Sequence, residues 1–194
     1  ISQPFQQRLL EDREVRFAGE PIALVVADTR YTAEDASTLV EIDFDILPGA
    51  SDCKTALEDG APLCHAASPN NEGAKFTVGY GDVEAAFAGA KLTHREEYWI
   101  HRGGGFAIEN RAVVAEYDEL GDMLTIWSAT QSPFLVKQNV VDMLGWESDK
   151  VRVIAPDVGG GFGPKTIYYV EEALIPLVAK QLGRPVKWIE DRRE

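Results

Sequence analysis

Long apolar runs are missing from this sequence. None approaches the ~18 residues that suggest a membrane-spanning helix, so no membrane partner is expected. Basic residues are scarce too: 19 Lys and Arg stand against 32 Asp and Glu, a formal net charge of −13. Nucleic-acid binding leaves a basic footprint, so no nucleic-acid partner is expected. The acidic excess favours solubility and says little about fold. Cysteine is nearly absent. Cys53 and Cys64 match no zinc or iron–sulfur spacing. Even with His65 beside Cys64, two neighbouring ligands rarely complete a tetrahedral site. The expectation is two free thiols of a cytoplasmic protein and no metal held directly by side chains. The start, ISQPFQQRLLEDRE, is polar and charged, unlike a secretory leader. With no initiator Met and a stop at VKWIEDRRE, the chain reads as a piece of a longer protein.

What is present is ordinary for a globular chain: 45% hydrophobic and 26% charged residues. The length of 194 residues allows one large domain or two small ones. PIALVVAD (21–28) reads as a buried strand and VEIDFDILP (40–48) as a half-exposed one. Between them, Thr32 is expected to cap a helix reaching Leu39, with Glu34 and Asp35 near its positive end. CKTALEDG reads as a second helical stretch, 61–73 as a surface loop, and GDVEAAFAGA as a short helix capped by Asp82. THREEYWI is a strand candidate. AVVAEYD, the turn ELGD and MLTIWSAT predict a β-hairpin. Ser132 and Pro133 open a helix that Gly145 closes. KVRVIAP is the next strand, and PVKWIE the last. Between these two runs a helix with Val170, Ala173, Leu174, Leu177, Val178 and Leu182 on one face, Pro176 inside it, and Gly183 at its end.

The glycine loop DVGGGFGPK is the most informative stretch. It lies between a strand and a helix, which points to backbone N–H groups at a helix N-terminus, a natural anion and cofactor site. Gly159, Gly160, Gly161 and Gly163 let backbone approach a ligand closely and adopt positive φ. A structural tight turn is the plain alternative. A nucleotide-binding P-loop is the enzymatic one: Gly159 and Lys165-Thr166 fit it, but Pro164 stands where the last glycine belongs and has no N–H to give. A dinucleotide fingerprint fails at the same proline.

VGGGFGPK resembles the GGGFGxK loop of the xanthine dehydrogenase/aldehyde oxidase-type molybdenum hydroxylases. LTIWSATQSPF resembles that family's strand ending in Ala-Thr-Gln, and IHRGGGFAIENRAVVAEYD its segment that often ends in Glu-Pro-Arg. PVKWIEDRRE resembles the segment after the long helix, and VRFAGEPIALVVADTRYTAEDASTLVEIDFDILP is similar to the small hammerhead domain. The likeness covers nearly the whole chain in the right order. It implies an α/β (α+β) architecture: a hammerhead domain over residues 1–90, then the N-terminal part of a molybdopterin-binding domain over 91–194.

The resemblance further implies an oxidoreductase of the large, molybdopterin-binding subunit type. Such enzymes hydroxylate aldehydes or N-heterocycles, or oxidise carbon monoxide, with water as the oxygen source. Gln131 would lie at the molybdenum and donate from its amide to an oxo ligand. Gly160, Gly161, Phe162 and Gly163 would lie against the molybdopterin. By itself, Gln131 reads as a polar residue closing a strand end. Iron–sulfur clusters and FAD would reside on other domains or subunits, which with the remainder of the large subunit are the expected partners beside a small-molecule substrate. The family's general-base Glu has no match here, so this chain alone is expected to be inactive. Thr166 stands where some members carry a substrate-reading Glu, which argues against a purine pocket. His94 and His101 read as surface or interface residues. Arg102 with Gly103, Gly104 and Gly105 reads as a plain turn or a second cofactor-facing loop. The rival classes are a P-loop-like nucleotide-binding domain and a non-catalytic interaction module of the same fold.

Overall fold

A computed structural model describes residues 7–100 and 103–192. They group into two units, one within 43–100 and the other built from 7–42 together with 103–192.

In the larger unit, the alternating AVVAEYD and MLTIWS segments each present one apolar face, and the turn between them closes them into a hairpin. Strand β1 (Ala112–Asp118) pairs antiparallel with β2 (Met123–Ser128), with Val113 opposite Ser128 and Asp118 opposite Met123. Asp118 Oδ1 accepts from Leu120 N–H at 3.1 Å, and Asp122 takes the positive φ of 48° that the turn requires. After β2, Pro133 supplies the preset φ of a first helical residue. This helix, α3 (Pro133–Leu144), ends on left-handed Gly145 at φ 65°. The chain then returns through a short 3-10 turn to β3 (Val151–Ile154), which runs parallel to β2. A later helix runs Glu171–Leu182 and ends on left-handed Gly183. Strand β4 (Val186–Ile189) completes the sheet on the far side of β1, in the order β3-β2-β1-β4.

The helices are numbered in chain order: α1 (Arg30–Ser37), α2 (Val83–Gly89), α3 (Pro133–Leu144) and α4 (Glu171–Leu182). Alternate strand residues Val113, Ala115, Leu124, Ile126, Val151 and Val186 form a buried layer with Val136 and Val140 of α3 and Ala173, Ile175 and Ala179 of α4. Ile126 is 0% exposed. Truncating a buried residue of this kind to Ala typically costs ~2–5 kcal/mol.

The hairpin, α3, β3, α4 and β4 follow the sequence pattern. Several other expectations need correction. Residues 21–28, 40–48 and 93–100 belong to no strand ladder. Alternation predicts which face a segment shows, whereas a strand also needs a neighbour to accept its backbone hydrogen bonds. The cap of α1 is Thr29, whose Oγ1 accepts from Thr32 N–H at 3.1 Å; Thr32 sits in the first turn and the helix stops at Ser37. Residues 53–57 form successive turns rather than a helix. Ser132 makes no side-chain cap bond to α3. On α4, Ile175, Pro176 and Ala179 are buried, while Leu182 is 51% exposed. That helix packs on both the sheet and α3, so burial spreads beyond one stripe.

In the 43–100 unit, Asn71 organises the loop. Its Oδ1 accepts from Cys64 N–H at 2.8 Å, and its Nδ2 donates to the carbonyls of Ala56 at 2.9 Å and Pro62 at 2.7 Å. Asp82 caps α2 as its sequence predicts, accepting from Ala85 N–H at 2.9 Å. Cys53 and Cys64 are free thiols. Among the described residues, no helix is long and apolar enough to cross a membrane.

Glu172, in the first turn of α4, is a buried carboxylate held by Ser128 Oγ–H at 2.6 Å and Tyr169 N–H at 3.2 Å. Burial raises its pKa in spite of these donors. The folded state therefore keeps a proton that the unfolded state has already released, and stability falls as pH rises from the ordinary carboxylate value through the raised one. Glu172→Gln removes this titration. Urea-unfolding free energies of the two proteins, compared across the acid range, should show wild type losing stability relative to the variant as pH rises. Parallel curves would contradict the assignment.

Candidate functional site

Strand direction brings three distant segments to one end of the sheet. Parallel β2 and β3 both finish there, with Trp127 paired to Ile154. Antiparallel β1 begins there, and Ala129 N–H donates to Ala112 C=O at 3.0 Å. Gln131 just past β2, the glycine loop just past β3 and Glu109 just before β1 therefore converge. The carboxyl ends of parallel strands are a common location for ligands.

Gln131 is tied to the loop by main chain and side chain. Its N–H donates to Lys165 C=O at 2.8 Å, and the same carbonyl accepts from Thr130 Oγ1 at 3.1 Å. Gly163 N–H donates to Gln131 Oε1 at 3.0 Å. A backbone N–H can only donate, so the amide must turn its oxygen towards Gly163. This leaves Nε2 as a donor with no partner among the described residues. Gly161 makes room for this packing: a Cβ there would lie 2.2 Å from Gln131 Cδ.

The loop is bent by positive φ at Gly160 (101°), Phe162 (55°) and Gly163 (103°). For a non-glycine residue such as Phe162 this conformation costs ~1–3 kcal/mol and persists only where surroundings enforce it. Here they do. A Cβ at Gly105 would lie 2.8 Å from Phe162 Cβ, and one at Gly160 would lie 2.8 Å from Phe162 Cε2. The Gly103–Gly105 segment thus backs the loop through Gly105. Arg102 and His101 lie outside the described residues. The N–H groups of Gly160, Gly161 and Phe162 have no acceptor among the described residues.

One expectation fails here, and the rival nucleotide-binding reading finds no support. The loop does not sit on a helix N-terminus: α4 starts only at Glu171, and Tyr169 N–H, just before it, is bonded to Glu172 Oε2. Nor does Lys165 resemble a phosphate-binding lysine. It is 4% exposed, and its ammonium is bonded to Glu109 Oε2 at 2.6 Å. That pairing, opposed by partial burial and helped by Gly159 N–H, holds the Glu109 carboxyl below the usual range. Glu109 is the site residue that reading the sequence missed, although it lies in the AIENR segment that carries the family likeness. Thr166 is exposed. His94 pairs with Glu96 at 3.1 Å in the 43–100 unit, which does not contain the loop. Among the described residues, no group of three His, Cys, Asp or Glu side chains could hold a metal.

A set of unpaired N–H donors with an amide donor beside them suits an electron-rich or anionic ligand that brings its own metal ligands. The donor chemistry fits a molybdopterin, whose metal is held by the pterin itself.

Residues 64–194 match the profile described as molybdopterin cofactor-binding domain, and residues 1–48 that of the aldehyde oxidase and xanthine dehydrogenase a/b hammerhead domain. The large subunit of nicotine 6-hydroxylase from Paenarthrobacter nicotinovorans is 39% identical over 186 residues, covering 96% of this chain and 23% of that one. The carbon monoxide dehydrogenase large chain of Hydrogenophaga pseudoflava is 35% identical over 199 residues, covering 96% and 25%. The crystal structure of quinoline 2-oxidoreductase from Pseudomonas putida 86 superposes with a TM-score of 0.85 at 34% identity, covering 95% of this chain and 23% of that one. The chain thus spans about a quarter of the length of these relatives.

A methyl group on residue 161 collides with a flexible side chain rather than with backbone. Gly161→Ala should therefore leave the unfolding midpoint nearly unchanged while pushing the Gln131 amide off Gly163. Hydrogen exchange at the Gly163 amide should then accelerate. An unchanged exchange rate would mean that Gln131 is not lodged as described.

Proposed function

The chain belongs to the aldehyde oxidase/xanthine dehydrogenase family of molybdopterin-binding chains, and from that premise we propose that the glycine loop and Gln131 form the cofactor-facing wall of a hydroxylase active site. Gly160, Gly161, Phe162 and Gly163 are the cofactor cradle. Gln131 is the donor beside the reacting centre. The observation that carries this reading is the Gly163 N–H bond to Gln131 Oε1, which leaves the amide N–H groups free next to the unpaired N–H groups of Gly160, Gly161 and Phe162.

When bound, a molybdenum cofactor supplies the two-electron redox chemistry that no side chain provides. The chain's part is to hold and orient. Loop N–H groups would donate to electron-rich atoms of the cofactor, and Gly160, Gly161 and Gly163 would let backbone approach without a Cβ between. The position of a Cβ on Gly163 meets nothing within 4 Å, so the side open to a ligand is the side a larger residue would fill. The Gln131 amide, fixed before the reaction, stabilises charge that develops next to it without reorganising.

The reaction is hydroxylation of an electron-poor carbon in an aldehyde or N-heterocycle, or oxidation of carbon monoxide. Thr166, exposed just after the loop, favours a substrate other than a purine. Electrons leave through iron–sulfur and flavin subunits or domains, and the remainder of the large subunit supplies the base. We place the domain boundary near residue 90 and the protein in the cytoplasm, where exposed Cys53 stays a thiol. A nucleotide-binding reading has no comparable support, because Lys165 is buried against Glu109.

Gln131→Glu keeps an acceptor for Gly163 N–H and removes the free donor, whereas Gln131→Ala removes both. In the full-length enzyme, each should lower turnover by ~10²–10³-fold at full molybdenum occupancy, the usual loss for one positioned donor. Steady-state rates normalised to metal content test this. Wild-type turnover in the Glu variant would remove Gln131 from the chemistry.

A further inference from the structure

The loop has a fourth glycine, Gly159, for which a cofactor cradle gives no reason. Its reason is Glu109: a Cβ on residue 159 would lie 2.6 Å from Glu109 Cβ. This close approach lets one oxygen, Glu109 Oε2, accept from both ends of the loop, from Gly159 N–H at 2.7 Å and from Lys165 Nζ at 2.6 Å. We propose that Glu109 is the clasp of the glycine loop, a positioning residue that closes Gly159 onto Lys165 and through Lys165 sets the place of Gln131.

Between the two clasped ends lie the three positive-φ residues and the unpaired N–H groups, a stretch with little of its own to hold it bent. The Lys165 side chain is 3% exposed, so its ammonium requires a carboxylate where it is buried. The Lys165 carbonyl in turn receives Gln131 N–H and Thr130 Oγ1. A chain of bonds therefore runs from Glu109 through Lys165 to the proposed donor. The clasp rests on the reading of this loop as the cofactor cradle, but it makes a separate mechanical claim.

Glu109→Ala and Glu109→Gln in the full-length subunit, assembled in its native complex, test that claim. The informative amides are Gly163 and Thr166, whose acceptors are Gln131 Oε1 and Gly163 C=O and not Glu109. In Glu109→Ala their hydrogen exchange should accelerate ~10-fold or more while amides of β1 and β2 keep wild-type rates, as for a local opening. Molybdenum and pterin should be lost on dialysis. Glu109→Gln keeps size and an acceptor and guards against an Ala variant that fails to fold. It should lie between wild type and Ala in both readouts. Unchanged exchange at Gly163 and Thr166, or acceleration spread evenly over the sheet, would overturn the clasp. If wild type itself held no molybdopterin, the proposed function would fall, and exchange at those two amides would still decide the clasp.

Discussion

Everything at the site depends on β2 and β3 running parallel. Leu124 pairs with Val151 and Trp127 with Ile154, so both strands release their chains at the same end of the sheet. An antiparallel pairing would send the glycine loop to the opposite end from Gln131. The parallel arrangement needs a crossover, and α3 provides it, its Val136 and Val140 buried against the sheet. With β1 and β4 antiparallel to each other, the start of β1 and the end of β4 arrive at that end too.

There, Arg111 joins several of these segments. Its guanidinium bonds Glu190 past β4 and reaches Glu171 at the start of α4. It stacks over Tyr169 at 3.8 Å from the ring centroid and lies 5.2 Å from that of Trp188. Burial works against its charge, but Glu190 and Glu171 raise its pKa, so it stays protonated. Tyr169 then donates its hydroxyl to Pro164 C=O at 2.8 Å, at the far side of the glycine loop. The strained loop is thus braced by charged groups already paired with one another. The N–H groups of Gly160, Gly161 and Phe162 meanwhile have no acceptor among the described residues. An acidic chain can in this way present a local donor surface without exposed lysines.

How much of this was legible depended on how local each cause was. The hairpin, the Pro133 start and Gly145 end of α3, and the Gly183 end of α4 each follow from a few neighbouring residues, and all stand in the structure. The glycine loop stood out because its residue types cluster in a short motif, Gln131 only through the family resemblance, and the structure brings the two into contact. The runs at 21–28, 40–48 and 93–100 misled because apolar content or alternation speaks of burial and faces and not of ladder partners. Glu109 was invisible for a related reason. Lys165 is 56 residues away in sequence, and nothing in AIENR tells a solvated acid from one that receives a buried ammonium.

The most direct measurement of the central claim is metal and pterin analysis of the full-length native protein, combined with a crystal structure of the loaded form. The account requires molybdenum and pterin equimolar with the subunit, with the ligand seated against Gly160, Gly161, Phe162 and Gly163 and within hydrogen-bond reach of Gln131 Nε2. A native protein free of both, or one whose loop holds a nucleotide phosphate instead, would contradict it.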